Sequence, residues 1–351
     1  MASLPRTVAW DNGAVVMIDQ RLLPNELKLV CIENYLEVGD AIRDMCVRGA
    51  PAIGAAAAYG IALAAHQAVL QGEREPMVFL ERAARELRAT RPTAANLFWA
   101  IERVLAIARS FQREGPQAMA AAVLAEAEQI AADDIEANRR IGHFGAALLP
   151  QRCTVITHCN AGHLATVAYG TALGVVRAAR EQGKDIHVLV DETRPRLQGA
   201  NLTAWELMQE GIPCTLIADN AAGYFLWRGE VDAVIFGADR IAANGDVANK
   251  VGTYKLALAA AANGVPVYCA APLSTVDLAI PNGRAIPIEE RAAEEVLYIG
   301  CQRIGPKGIA VANPAFDVTP AAYVSAIFTE AGVLRAPYAK SLHQVVEGRC
   351  R

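Results

Sequence analysis

Apolar and polar positions along the chain fall into three successive rhythms. Val8-Ala-Trp-Asp and Ala14-Val-Val-Met-Ile-Asp alternate with a period of two around Asp11-Asn-Gly, the pattern of a short β-hairpin. From about Glu37 to Leu149 apolar residues recur at three and four, Ala, Leu, Glu and Arg dominate, and Pro or Gly punctuates. That spacing predicts helices. Gln117 to Leu149 reads as one long helix that Pro150 stops, so a domain boundary is expected there, with 1–150 mainly helical and 151–351 a second domain.

Beyond Pro150 short β-branched runs alternate with helical stretches. Cys153-Thr-Val-Ile-Thr precedes a helix expected over about Leu164–Gln182, and Ile186-His-Val-Leu-Val precedes one near Leu202–Glu210. Cys214-Thr-Leu-Ile leads to a short helix ending at Trp227, Ala233-Val-Ile-Phe to a helix over Val251–Ala262, and Val265-Pro-Val-Tyr-Cys continues the series. Strands apolar on both faces belong to a parallel sheet covered on both sides. The expected fold is α/β: a mostly helical N-terminal domain with a short β-hairpin start, then a doubly wound, Rossmann-like parallel sheet.

Composition narrows the partners. Thirty-three basic against 37 acidic residues give a net charge of −4, which argues against a non-specific nucleic-acid or anionic-membrane binder. With 53% hydrophobic and 20% charged residues the chain is not disordered. The longest apolar run, Ala52–Ala65, has 14 residues and falls short of the ~18 that a spanning helix needs. Met1–Trp10 has no apolar core of a signal peptide, and eight scattered cysteines then read as free thiols in a reducing, cytoplasmic setting.

Nucleotide fingerprints are missing from the strand ends. No G-x-G-x-x-G follows a strand, and Gly183-Lys184 lacks the other residues of a P-loop. His158, Cys159 and His163 share one short loop without a distant partner pair, so no metal is expected. In an open parallel sheet ligands sit beyond the carboxyl ends of the strands. There the chain places Thr157-His-Cys-Asn-Ala-Gly, Asp191-Glu-Thr-Arg-Pro-Arg-Leu-Gln-Gly, Asp219-Asn, Gly237-Ala-Asp-Arg, Asn244-Gly-Asp and Asn249-Lys. Turn chemistry alone could supply the Asn, Asp and Gly, but Cys, Arg, Gln and Lys converging on one edge point to catalysis. In the helical domain, Val47-Arg-Gly-Ala-Pro-Ala-Ile-Gly puts a cation, a glycine and a first-turn proline at a helix start, a good anion seat; Arg91-Pro-Thr has a similar shape.

Seven motifs in this order resemble one family. Arg48-Gly-Ala-Pro-Ala-Ile-Gly, Arg91-Pro-Thr, Thr157-His-Cys-Asn-Ala-Gly, Asp191-Glu-Thr-Arg-Pro-Arg-Leu-Gln-Gly-Ala, Gly237-Ala-Asp-Arg, Asn249-Lys and Asn313-Pro-Ala-Phe-Asp-Val-Thr-Pro are similar to those of the methylthioribose-1-phosphate isomerases of methionine salvage, within the initiation factor 2B superfamily. The resemblance implies an aldose 1-phosphate to ketose 1-phosphate isomerase that works as a homodimer without metal or other cofactor. By motif position it implies Cys159 and Asp239 as the catalytic pair, and Arg48, Gly49, Ala50, Arg91, Gln198, Asn249 and Lys250 as holders of the sugar phosphate. Against that pattern His163 replaces a small residue and is expected to be a packed or solvated histidine rather than a new catalytic group. Alternatives from the same superfamily are a ribose-1,5-bisphosphate or 5-deoxyribose-1-phosphate isomerase and a non-catalytic regulatory subunit.

A glycosyl phosphate cannot open its ring unaided, so the implied reaction needs an acid at the ring oxygen and hydrogen transfer from C2 to C1. Asp239 ends the apolar run Ala233-Val-Ile-Phe-Gly-Ala, where burial should keep a proton on it. Cys159 is expected at a helix N-terminus, which favours thiolate. Asn249 and Lys250 are expected to open a helix.

Overall fold

A computed structural model of the chain describes residues 4–91 and 94–348. Its backbone groups into two compact units, Met1–Arg139 with Ala161–Gly174, and Arg140–Asn160 with Val175–Arg351. The pattern reading put the division near residue 150 and left 161–174 with the sheet; in the structure that segment packs with the helical unit.

The first unit begins with a three-stranded antiparallel sheet of β1 (Val8–Asp11), β2 (Ala14–Ile18) and β3 (Leu29–Ile32). Asp11 pairs with Ala14 across Asn12-Gly13, both at positive φ (47° and 91°), as a type I′ hairpin turn requires. Five helices follow: α1 (Tyr35–Arg43), α2 (Ala50–Leu70), α3 (Pro76–Arg88), α4 (Ala95–Ser110) and α5 (Pro116–Ala146). The side chain of Asn34 caps α1 by accepting from the Leu36 amide at 3.0 Å.

Helix α2 is the centre of this unit, and α1, α3 and α4 pack against it. Two thirds of it is Ala, Gly or Ile, and it buries every residue from Ala52 to Ala65. Small side chains let neighbours approach closely: the ideal Cβ position on Gly54 lies 3.0 Å from the carbonyl oxygen of Asn96 in α4. The full helix is longer than its unbroken apolar run, and by length and composition it could cross a membrane. With 78% of its most apolar window buried inside the protein, it is a core helix instead. Neighbouring Leu80 and Leu87 are buried to 1% exposure or less, each contributing about 1.5–3 kcal/mol.

The second unit carries β4 (Arg152–Thr157), α6 (Ala172–Glu181, begun in the first unit), β5 (Asp185–Asp191), α7 (Ala204–Gln209), β6 (Cys214–Ile217), α8 (Ala222–Trp227) and β7 (Ala233–Phe236). After these come β8 (Arg240–Ala242), β9 (Val247–Lys250), α9 (Thr253–Ala262), β10 (Val267–Ala270), β11 (Val276–Asp277), α10 (Glu294–Leu297), β12 (Tyr298–Ile299), β13 (Gln302–Arg303), β14 (Phe316–Thr319), β15 (Ala326–Thr329), β16 (Gly332–Leu334) and α11 (Tyr338–Glu347). The main sheet has the order β16-β15-β10-β7-β4-β5-β6, parallel except for β16. Counted from β4, its parallel strands run 3-2-1-4-5-6, the doubly wound arrangement, and the order reverses where β4 lies beside β7. A smaller four-stranded sheet, β11-β8-β9-β14, is inserted after β7.

Three expectations fail here. The helix expected from Leu164 starts only at Ala172; before it lies one 3-10 turn at His163–Ala165, and Tyr169 and Gly170 take positive φ. Cys159 therefore does not sit at an α-helix N-terminus. Asn249 and Lys250 do not open a helix: they end β9, paired antiparallel with Asp317 and Phe316 of β14, and α9 begins at Thr253.

Candidate active site

Cys159 and Asp239 leave neighbouring strands at the point where the strand order reverses. Thr157, two residues before the cysteine, pairs with Ile235, four residues before the aspartate. Both side groups thus emerge at the crevice that this topology opens beyond its strand ends. Cys159 is buried, 7% exposed, at φ +67, an uncommon conformation for a side-chain-bearing residue. Two threonines hold that backbone: the Cys159 amide donates to Thr193 Oγ1 at 2.8 Å, and Thr203 Oγ1 donates to the Cys159 carbonyl at 2.7 Å. Asp239 is half-buried, and its amide donates to the Ala248 carbonyl at 2.9 Å, which ties it to β9 beside Asn249.

The loop after β5 closes over this edge. Asp219 accepts from the amides of Thr193 (2.6 Å) and Arg194 (2.7 Å), and Gly199 lies against the Asp191 carbonyl so closely that a Cβ would stand 1.6 Å from its oxygen. Gln198, one residue earlier, is 6% exposed, and its Oε1 has no hydrogen-bond partner among the described residues. An acceptor left so is costly, about 1–3 kcal/mol, until a donor such as a ligand hydroxyl reaches it. On the β9 side, Asn249 donates to Thr253 Oγ1 at 3.0 Å. Buried Lys250 donates to the Ala315 carbonyl at 2.8 Å and lies 4.6 Å from the centre of the Phe316 ring.

Charge is concentrated behind these residues. His158 and Asp191 are both fully buried, joined Nδ1 to Oδ2 at 2.9 Å, and His158 Nε2 meets the Val251 carbonyl at 2.9 Å. Burial pushes the Asp191 carboxyl above its ordinary range, and His158 opposes that shift. Asp317 accepts from the Gly252 amide at 2.7 Å and the Tyr254 amide at 3.1 Å, capping α9; burial pushes its carboxyl up as well. Buried Glu206 bridges Asn160 and Arg177 at 2.9 Å each, so the residue after Cys159 is fixed by a neutralised acid.

A metal could be imagined at His158, Asp191 and Asp219, whose ligand atoms lie within 4.8 Å of one another. Most of that donor set is already engaged: both His158 nitrogens, both Asp219 oxygens and Asp191 Oδ2 make the hydrogen bonds just given, while buried Asp191 Oδ1 has no partner among the described residues. His163, the other histidine of this segment, is in the first unit. It pairs with the Pro5 carbonyl through Nε2 at 2.8 Å and with the Tyr169 amide through Nδ1 at 3.4 Å, a packed residue that pins the incoming chain.

The first unit holds Arg48, Gly49, Ala50 and Arg91. Gly49, at φ +91, is the N-cap of α2, and a Cβ there would lie 2.5 Å from the Cα and carbonyl oxygen of Ala165. Its close approach is thus to the chain itself. Among the described residues, neither α2 nor α4 has a side-chain cap or an acid in its first turn. Because Gly54 packs on Asn96, the starts of α2 and α4 lie side by side, with half-buried Arg48 and Arg91 leading into them. Two helix N-termini and two guanidinium groups make an anion seat. Pro92 and Thr93 of the Arg91 motif lie outside the described residues.

Pattern reading missed Thr193, Thr203, Asp317 and the His158–Asp191 pair. Thr193, His158 and Asp191 stand in strand-end motifs, but their partners lie 33 or more residues away in sequence and no spacing reveals them.

Fold and rim together define a doubly wound α/β protein with a polar edge at the carboxyl ends of its strands and, in its helical unit, two helix starts with a cation leading into each. Residues 46–336 match the Initiation factor 2 subunit family, and the chain belongs to it. Within that family it stands on the methylthioribose-1-phosphate isomerase branch: the protein of that name from Roseiflexus castenholzii is 55% identical over 99% of both chains. Its namesake from Acetivibrio thermocellus is 53% identical over 96% of this chain and 98% of its own. The crystal structure of 5-methylthioribose 1-phosphate isomerase from Pyrococcus horikoshii matches with a TM-score of 0.92 at 48% identity, covering 98% of this chain and 96% of that one. A structure described as translation initiation factor eIF-2B, subunit delta, from A. fulgidus matches at 0.86 and 46% identity, over 98% of this chain and all of that one.

Proposed function

We propose that the chain isomerises S-methyl-5-thio-α-D-ribose 1-phosphate to S-methyl-5-thio-D-ribulose 1-phosphate, a step of methionine salvage. One observation carries the reading: Cys159 and Asp239 both follow the two strands flanking the reversal point, and β4 pairs directly with β7. The names of relatives at 55% and 53% identity supply the substrate.

In this reading Arg48, Arg91 and the amides of Gly49 and Ala50 hold the phosphate. Gln198, Asn249 and Lys250 hold the sugar, whose hydroxyl satisfies Gln198 Oε1. Asp239, half-buried behind an apolar strand, donates its proton to the ring oxygen as the C1–O bond breaks. The hydrogen on C2 then moves to C1 with Cys159 acting at C2, and the C2 hydroxyl returns its proton to Asp239 as the ketone forms there. A proton route through an enediol takes label at C1 from deuterated water, whereas a hydride route takes none. A regulatory subunit of the same fold would not need this pair at the reversal point.

The chain is further proposed to be a cytoplasmic homodimer that needs no metal or other cofactor. No disulfide joins the seven cysteines among the described residues, which suits a reducing compartment. Met208 and Trp227 (71% and 73% exposed) flank the edge strand β6 with its exposed Leu216, an apolar margin suited to a second copy. The test of activity is to offer purified protein the methylthio, 5-deoxy and 5-phospho sugar 1-phosphates and compare kcat/KM. The methylthio sugar should be best; faster turnover of the bisphosphate would overturn the assignment.

A further inference from the structure

We infer that His158 and Asp191 are positioning residues, a buried pair that fastens the Cys159 loop, the Asp191–Gln198 loop and the Asn249–Gly252 segment into one frame. The inference rests on the functional reading of Cys159, Asn249 and Lys250 given above.

Sequence neighbours invite another interpretation, a Cys-His-Asp triad in which His158 activates Cys159. The geometry rules it out. His158 Nε2 meets the Val251 carbonyl at 2.9 Å, and a carbonyl can only accept, so that nitrogen carries a hydrogen and is committed to the backbone. Nδ1 is committed to Asp191 Oδ2 at 2.9 Å. The imidazole is thus a two-ended strut rather than a base for the thiol.

Its ends explain why it is buried. One end stands on Asp191, the last residue of β5, whose backbone carbonyl accepts from Thr193 Oγ1 at 3.0 Å, and the Thr193 hydroxyl in turn accepts from the Cys159 amide. The other end holds Val251, the residue after Lys250, and the ring lies against Gly252, where a Cβ would be 2.8 Å from Cε1. Around the pair stand Asp219, Asp317 and Lys255, and Lys255 Nζ donates to the Asp219 carbonyl at 3.0 Å. A fully buried polar pair costs desolvation that a packed apolar pair would avoid, so its retention needs a geometric reason. Here that reason is the joining of three loops that must hold a reacting sugar to within a fraction of an ångström.

Four variants of the full-length protein test this, alongside Cys159→Ser and Asp239→Asn. Asp191→Ala removes the strut's footing, and kcat should fall about 10–100-fold, the range a misplaced reacting group produces. Asp191→Asn keeps a hydrogen-bonding partner for Nδ1, since an amide can donate or accept, and should restore kcat to within about threefold of the parent. His158→Asn retains the link to Asp191 but cannot reach Val251, so KM should rise about tenfold with little change in kcat. His158→Gln keeps the Val251 link instead and should show the opposite split. Circular dichroism and thermal melting establish that each variant is folded. A merely structural pair would lower the melting temperature and leave kcat and KM alone. Folded variants with parental kcat and KM overturn the inference, as does Asp191→Asn falling as far as Asp191→Ala. Should Asp191→Ala fail to fold, the two His158 variants decide, and an unchanged KM in His158→Asn overturns it. If Cys159→Ser and Asp239→Asn stay active the functional reading fails; if they lose activity while the pair variants do not, this inference alone falls.

Discussion

At the start of α2 the proposed recognition elements are mostly backbone: Gly49 at φ +91, the Ala50 amide and a helix end without a side-chain cap, with Arg48 and Arg91 leading in. At the carboxyl edge of β4 and β7 the proposed elements are side chains set in a hydrogen-bonded frame, in which Thr193 holds the Cys159 amide and the Ala315 carbonyl accepts from Lys250. The first region needs only a shape and a positive potential, which a helix start supplies without precise rotamers. A region that must place an acid and a thiol against particular carbons needs a scaffold for each group. Substitutions should therefore separate: damage at the seat should show in binding or folding, damage at the edge in turnover.

The largest effect expected from that contrast is Asp239→Asn. Steady-state assays should show kcat lower by about three orders of magnitude with KM within a few-fold, since an amide cannot donate the proton that opens the ring. Near-parental turnover would break the contrast at its strongest point.

Gly49→Ala comes next, and it acts on folding. The added methyl meets Ala165 backbone at 2.5 Å and imposes φ +91 on a residue that avoids it. A loss of about 3 kcal/mol in chemical denaturation is expected. Loss of only activity, with stability intact, would mean that the glycine serves a ligand rather than the chain.

Arg48→Ala should raise KM about 10–100-fold, one to two charge-assisted bonds, with kcat nearly unchanged. A fall in kcat at constant KM would place the seat among the groups that act in the transition state and dissolve the distinction between the regions.

The smallest effect concerns a support of the edge. Burial raises the Glu295 carboxyl, but hydrogen bonds from Arg291 and Arg196 outweigh it and bring it from 4.5 down to about 2. Through Arg196, at 2.8 Å, this acid ties the loop before Gln198 to α10. A depressed carboxyl stabilises fully above 4.5, and that contribution disappears as pH falls through about 2. Glu295→Gln should cost about 1–2 kcal/mol at neutral pH and flatten acid unfolding across that window, measured by urea denaturation at stepped pH.

How far the chain could be read follows the same physics. β7 lies where its apolar run predicts, and β4, β5 and β10 within two residues, because strands covered on both faces leave an unbroken hydrophobic signal; edge strand β6 also lies where its run predicts, although Thr215 and Leu216 are exposed. The inserted sheet left none. Arg240-Ile-Ala and Val247-Ala-Asn-Lys are three and four residues long and carry polar groups, so β9 read as the opening of a helix. Residues 163–171 have helical composition, yet they pack with the first unit, where His163 grips Pro5 and Thr7 bonds the His163 carbonyl at 2.8 Å. The Arg48-Gly-Ala-Pro seat was legible because its parts are contiguous. The strut at His158 was not, since its ends lie 33 and 93 residues off along the chain.

The two rims of the main sheet differ in a way that bears on how copies of this protein can grow together. On one side β16 turns back antiparallel on β15, spans only Gly332–Leu334 and has Pro337 close behind, a short and blunted border that offers little to an incoming strand. On the other side β6 exposes Thr215 and Leu216. On the main sheet, strand-to-strand growth thus has one open rim among the described residues, and two copies that met there would exhaust it. Such an assembly closes on itself by two-fold symmetry and has no free end from which a fibre could extend.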